Sequence, residues 1–107
     1  MDDRGPVYPE RRRARRYRVA LPVELEGLGR GLTRDISTSG VYFETTEALV
    51  RGAPLTFSLF LEQTDLSGPI WVVCAGEVVR VDRQPGSVGV GATIESFRFD
   101  PDEGPIA

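Results

Sequence analysis

The chain has no histidine and no lysine in 107 residues, and its one cysteine is Cys74. Without an imidazole there is no Ser-His-Asp triad, no histidine acid–base catalyst and no His-ligated metal. A single thiol cannot form an internal disulfide or a thiolate zinc site, which agrees with a reducing compartment. Its apolar setting, WVVCAGEVV, reads as that of a small buried hydrophobe. No apolar run approaches the ~20 residues of a membrane helix, and the N-terminus carries no apolar signal segment. The expectation is a cytoplasmic protein without membrane insertion. Carboxylates are plentiful but fall along strand-like segments in no recognisable acid–base pairing. These absences point away from an enzyme and from any metal or cofactor, and toward a binding protein.

All thirteen basic residues are arginine, in a chain whose formal net charge is −3. Six of them lie between Arg11 and Arg18, in ERRRARRYR, leaving seven against sixteen acidic residues elsewhere. The basic charge is therefore a local device for a negatively charged partner. Arginine in particular offers a planar fork that bonds bidentately and stacks on flat rings, which lysine does not.

Residues 1–9 read as a flexible leader and 10–18 as an Arg-rich segment. From Tyr17 the chain alternates, with Tyr17, Val19, Leu21, Val23 and Leu25 on one face of a strand. Pro22 cannot donate to a ladder, which places that part at an edge or bulge. Further strands are expected in LTRDIS, VYFETT, LTFSLFLE, IWVVCAGEVVRVD and VGVGATIE, separated by Gly- and Pro-containing turns. Gly76 is expected to mark a bulge or bend in the long fifth strand, and TEALVRG is the only stretch with a hint of helical period. Six short strands predict an all-β fold, a small antiparallel Greek-key barrel over 17–97 whose closure removes exposed edges. Residues 98–107 are expected to be an acidic tail.

Two stretches combine around one predicted strand. The first is Arg12-Arg13-Ala14-Arg15-Arg16, an R-x-x-x-R. The second, about twenty residues on, is Asp35-Ile36-Ser37-Thr38-Ser39-Gly40, a D-x-S-x-x-G. Together with GEVVRV and VGVGATIE they make residues 10–97 resemble the PilZ domain, a bacterial receptor module for cyclic di-GMP. The resemblance implies that Arg12 and Arg16 clamp guanine edges and phosphates, and that Arg11 and Arg13 add phosphate contacts or field strength. The family's spacing from Pro22 selects Arg12 and Arg16 over Arg11 and Arg15. Asp35 would accept from guanine N–H donors or hold an arginine in place. Ser37 would offer a hydroxyl to phosphate or backbone, and Gly40 a tight turn with positive φ.

The chemistry is consistent, because guanine displays O6 and N7 acceptors on one edge and an arginine fork donates to both. Plainer readings stand beside it: Asp35 and Ser37 as turn residues, and Arg80 as a cross-strand ion pair instead of a ligand contact. Tyr17, Tyr42 and Phe43 are expected in the core or barrel wall more than in base stacking. The function expected is a stand-alone cyclic di-GMP receptor, monomeric or weakly dimeric. It would signal by ligand-induced ordering of its arginine segment and by contact with an unidentified effector protein. The alternatives are a PilZ-like adaptor that binds no nucleotide and a non-specific nucleic-acid binder. The acidic remainder of the chain argues against nucleic acid as partner.

Overall fold

The computed structural model describes residues 15–62 and 70–100. The leader, Arg11, Arg12, Arg13 and the last seven residues lie outside that range. Seven strands follow one another: β1 Pro22–Leu25, β2 Gly29–Ile36, β3 Gly40–Thr45, β4 Pro54–Leu61, β5 Ile70–Gln84, β6 Ser87–Thr93 and β7 Ser96–Asp100. No helix occurs among the described residues, and TEALVRG is a turn-rich crossing from β3 to β4.

All pairings are antiparallel, in the order β4-β1-β2-β3-β6-β5-β7. β4 also pairs with β5, so the first six of these strands close into the expected barrel. Closure follows from the alternation. Val23 and Leu25, Val41 and Phe43, and Leu55, Phe57 and Leu59 turn into one core, which the long β5 completes with Val72, Cys74 and Val78. Phe43 and Phe57 are both fully buried with ring centroids 6.4 Å apart. Truncating either to alanine costs about 3–5 kcal/mol. Leu49, on the β3–β4 crossing, adds a further buried side chain to that core.

Three details differ from the sequence expectation. The first predicted strand splits, with only Pro22–Leu25 in the barrel. Residues 15–21 form an arm held by a bridge between Tyr17 and Ile36 and by Thr33. The Thr33 hydroxyl accepts from the Leu21 N–H at 2.8 Å and donates to the Val19 carbonyl. Pro22 sits at a strand start, where its missing N–H is tolerated.

Secondly, β5 pairs β4 and β7 in its first half and β6 in its second, and the register shift lies at Val79 rather than at Gly76. Gly76 is nevertheless required, since any Cβ there would collide with the Thr93 backbone carbonyl. Thirdly, Arg98, Phe99 and Asp100 belong to a seventh strand and not to an acidic tail. Their Phe-Arg-Phe-Asp alternation outweighs the charge-based reading of the terminus.

Candidate functional site

Two β-bulges decide which side chains reach the outer wall. The β2–β3 register shifts at Arg34, so Thr33 points into the core while Arg34 and Asp35 both face out. Without that extra residue Asp35 would turn inward with Thr33. The β5–β6 register shifts at Val79 in the same way: Val78 is buried, Val79 and Arg80 are exposed, and Val81 packs on the core again. Each bulge thus turns one charged group outward.

Those groups fall on one row across four strands. Asp35 lies opposite Tyr42, Tyr42 opposite Gly91, and Gly91 opposite Arg80. The glycine leaves space for its neighbours to lean over it, and the Arg80 guanidinium lies 5.2 Å from the centre of the Tyr42 ring. Gly89, two residues away, leaves room for the Tyr42 hydroxyl; a Cβ there would collide with it. The hydroxyl donates to Asp82 Oδ2 at 2.8 Å, and Arg80 Nε lies 2.8 Å from the same oxygen. Burial, and then the hydrogen bond to Asp82, push the Tyr42 phenol above its usual pKa. A phenol so held stays a neutral donor, and Arg80 is held by an aromatic ring and a carboxylate together.

The arm supplies the opposite wall. Arg16 Nη1 donates to Asp35 Oδ1 at 2.7 Å, with the arginine side chain 71% exposed and the carboxylate 27%. One carboxylate oxygen therefore orients the fork while most of its donors stay accessible to a ligand. Below it the Ser37–Gly40 turn closes on itself: Ser37 Oγ accepts from the N–H groups of Ser39 and Gly40, each at 3.2 Å. Ser37 N–H donates to the Gly40 carbonyl at 2.8 Å. Ser37 is thus a turn-builder, whereas Asp35 is not.

Gly40 departs from expectation. Its φ is not positive, and the positive-φ glycines among the described residues are Gly27, Gly29, Gly52 and Gly86. Its constraint is proximity: a Cβ would stand 3.1 Å from the Ala92 carbonyl, close enough that the neighbouring strand would have to give by a few tenths of an ångström.

Arg16, Asp35, Ser37, Gly40 and Arg80 all line one cleft of about 270 Å³. Every predicted site residue within the described range is therefore in one place. Both readings of Arg80 hold at once: it pairs with Asp82 and it faces the cleft. Tyr42 and Asp82 were not expected in the site. The signal for Tyr42 was its position between inward-facing Val41 and Phe43, which sends it outward. Phe43 is core as expected, and Tyr17 is 54% exposed on the arm.

A model of the PilZ domain matches residues 10–104, nearly the entire chain. The chain belongs to the PilZ domain family. PilZ domains are non-catalytic receptor or adaptor modules associated with cyclic di-GMP, and the role of this chain is of that general kind. Among solved structures the fold is similar to that of the Bacillus subtilis inhibitor of motility (MotI/DgrA), with a TM-score of 0.68 at 19% identity. The match covers 84% of this chain and 44% of that one, so this PilZ domain spans less than half of the relative's length. No curated protein matches. Among the described residues no group of acidic or cysteine side chains could hold a metal ion, and no helix is long and apolar enough to cross a membrane.

Proposed function

We propose that this PilZ domain binds cyclic di-GMP in the cleft between the arm and the β2–β3–β6–β5 wall. The observation that carries the reading is the convergence of Arg16, Asp35 and Arg80 on one cleft from three separate segments, two of them turned outward by bulges. Arg16, oriented by Asp35, reads the O6/N7 edge of one guanine or takes a phosphate, and Arg12, four residues earlier in the same segment, adds a second fork. Arg80, held against Tyr42, presents a flat cationic surface for a second purine or phosphate. Ser37 and Gly40 shape the floor, and Arg11 and Arg13 add positive field. The ligand's phosphates relieve repulsion within the arginine segment and order it against the barrel, and the ordered segment is read by an effector protein.

A calorimetric titration tests this reading. Cyclic di-GMP should bind in the micromolar range or tighter. Cyclic di-AMP, which presents an N6 donor where guanine has an acceptor, should bind at least tenfold more weakly. Equal affinity for the two would leave only phosphate attraction, and no binding of either would favour an adaptor that works without nucleotide.

A further inference from the structure

The last strand carries a feature that nucleotide binding does not use. Among the described residues β7 ends the sheet order and is bonded on one side only, to β5. Phe97 and Phe99 project from one face, 54% and 61% exposed, with their rings 5.7 Å apart in an edge arrangement. Arg98 and Asp100 project from the other, joined at 3.6 Å. Soluble proteins normally blunt such an edge with charge, proline or a covering element. Two exposed phenylalanines beside free backbone are instead the mark of a pairing surface.

We propose that β7 is a dimerisation strand, in which two copies of this chain pair their β7 edges antiparallel about a two-fold axis at Phe99. The choice of a second copy rests on the self-complementarity of Phe-Arg-Phe-Asp. An axis at Arg98 would set Arg98 against its own counterpart, and like charges directly opposite are destabilising. An axis at Phe99 sets each Arg98 opposite the other copy's Asp100, twice by symmetry, and packs Phe99 on Phe99 with the Phe97 rings diagonal to it.

The backbone suits the same register. Glu95 N–H donates to the Ala75 carbonyl at 2.8 Å. Val78 N–H donates to the Ala53 carbonyl and its own carbonyl accepts from Gly52, so alternation along β5 turns Ala75, Val73 and Trp71 toward β7. Their partners Ser96, Arg98 and Asp100 bond β5, and the peptide groups of Phe97 and Phe99 face the open edge. An axis at Phe99 then lets the two Phe99 peptide groups exchange hydrogen bonds, and sets Arg98 and Asp100 opposite each other in the flanking pairs without hydrogen bonds, where side chains lie closer. In the dimer the β4–β5–β7 sheets of the two copies run on as one, and the ligand clefts stay outside the joint.

Sedimentation equilibrium of the full chain without nucleotide tests this independently of ligand binding. A reversible dimer is expected, with Phe99→Lys and Arg98→Asp each weakening association at least tenfold. The double variant Arg98→Asp with Asp100→Arg should restore it, because the opposite charges are merely exchanged. Phe99 and Arg98 are exposed, so circular dichroism should show all variants folded. Hydrogen exchange at the Phe99 amide should slow as protein concentration rises. A monomer at millimolar concentration would overturn the proposal, as would a dimer indifferent to Phe99→Lys or not restored by the exchange. Amides protected at all concentrations in a monomer would assign the edge to another segment of the same chain and overturn it equally.

Discussion

Arg16 and Asp35 form an exposed pair whose worth to the fold is small, about 0–1 kcal/mol, because solvent screens it. Its value lies in aiming the guanidinium. Arg16→Ala should therefore weaken cyclic di-GMP by about ten- to a hundredfold, the roughly 1.5–3 kcal/mol of hydrogen bonds to charged groups, and leave the ligand-free melting temperature nearly unchanged. Asp35→Ala discriminates further. Plain attraction between arginines and phosphate would strengthen when a carboxylate is removed, whereas a fork that has lost its orienting partner should bind about tenfold more weakly; titration at moderate salt reads the difference. Tyr42 adds a pH dependence. Its pKa is raised in the folded state, so its bond to Asp82 contributes stability in full below the unfolded value of about 10. That contribution is lost as pH rises through the higher folded value. Denaturant titrations at alkaline pH should show it, and Tyr42→Phe should remove that part of the dependence.

At the scale of elements, the bulges and the close-approach glycines do separate jobs. Gly76 faces the rigid backbone carbonyl of Thr93, so Gly76→Ala must move a strand and should cost about 3 kcal/mol or more of stability. The folded fraction of that variant should still bind ligand normally. Gly89 faces the Tyr42 hydroxyl, a side-chain tip that can swing away. Gly89→Ala should lose less stability but displace Tyr42 from Asp82 and free Arg80, weakening ligand about tenfold. Melting curves and titrations of the two variants should thus give opposite patterns. Equal loss of affinity in both would mean that Arg80 needs no support from Tyr42. The strands themselves were legible from alternation, as in Leu55, Phe57 and Leu59. β7 was not, since its acidic and Pro/Gly-rich surroundings hid a two-residue alternation.

For the molecule as a whole, the arm is the shared part. Its Arg16 faces the charged cleft, whereas Tyr17, Val19 and Leu21 line an apolar cleft of about 440 Å³ on the other side. Little backbone bonding holds it: Tyr17 N–H donates to the Ile36 carbonyl at 2.8 Å and Ile36 N–H returns the bond at 2.9 Å, with Thr33 as the second tether. Ligand that clamps Arg16 to the barrel should stabilise this bridge. Hydrogen exchange at the Tyr17 and Ile36 amides should slow at least tenfold on saturation with cyclic di-GMP, more than at the barrel amides of β4. Ligand at a hundredfold over its dissociation constant should also raise global stability by about 2.7 kcal/mol. An unchanged Tyr17 bridge in the bound state would show that the arm does not carry the signal.

The sequence by itself determined the barrel and its core, because a period-two alternation such as Val41, Phe43 and Thr45 admits only one burial. It also determined the chemistry on offer, since a chain with arginine as its only cation and no histidine can read a guanine or phosphate but has no imidazole catalyst. What only the tertiary structure decided is which polar side chains meet. Asp35, Tyr42, Gly91 and Arg80 come from four strands, and their row exists through the registers of three separate ladders. A one-residue bulge reverses every side chain beyond it, and nothing in the composition around Arg34 or Val79 marks where that reversal falls. The physical reason is that a bulge is a property of two paired strands, and a linear sequence shows only one of them at a time.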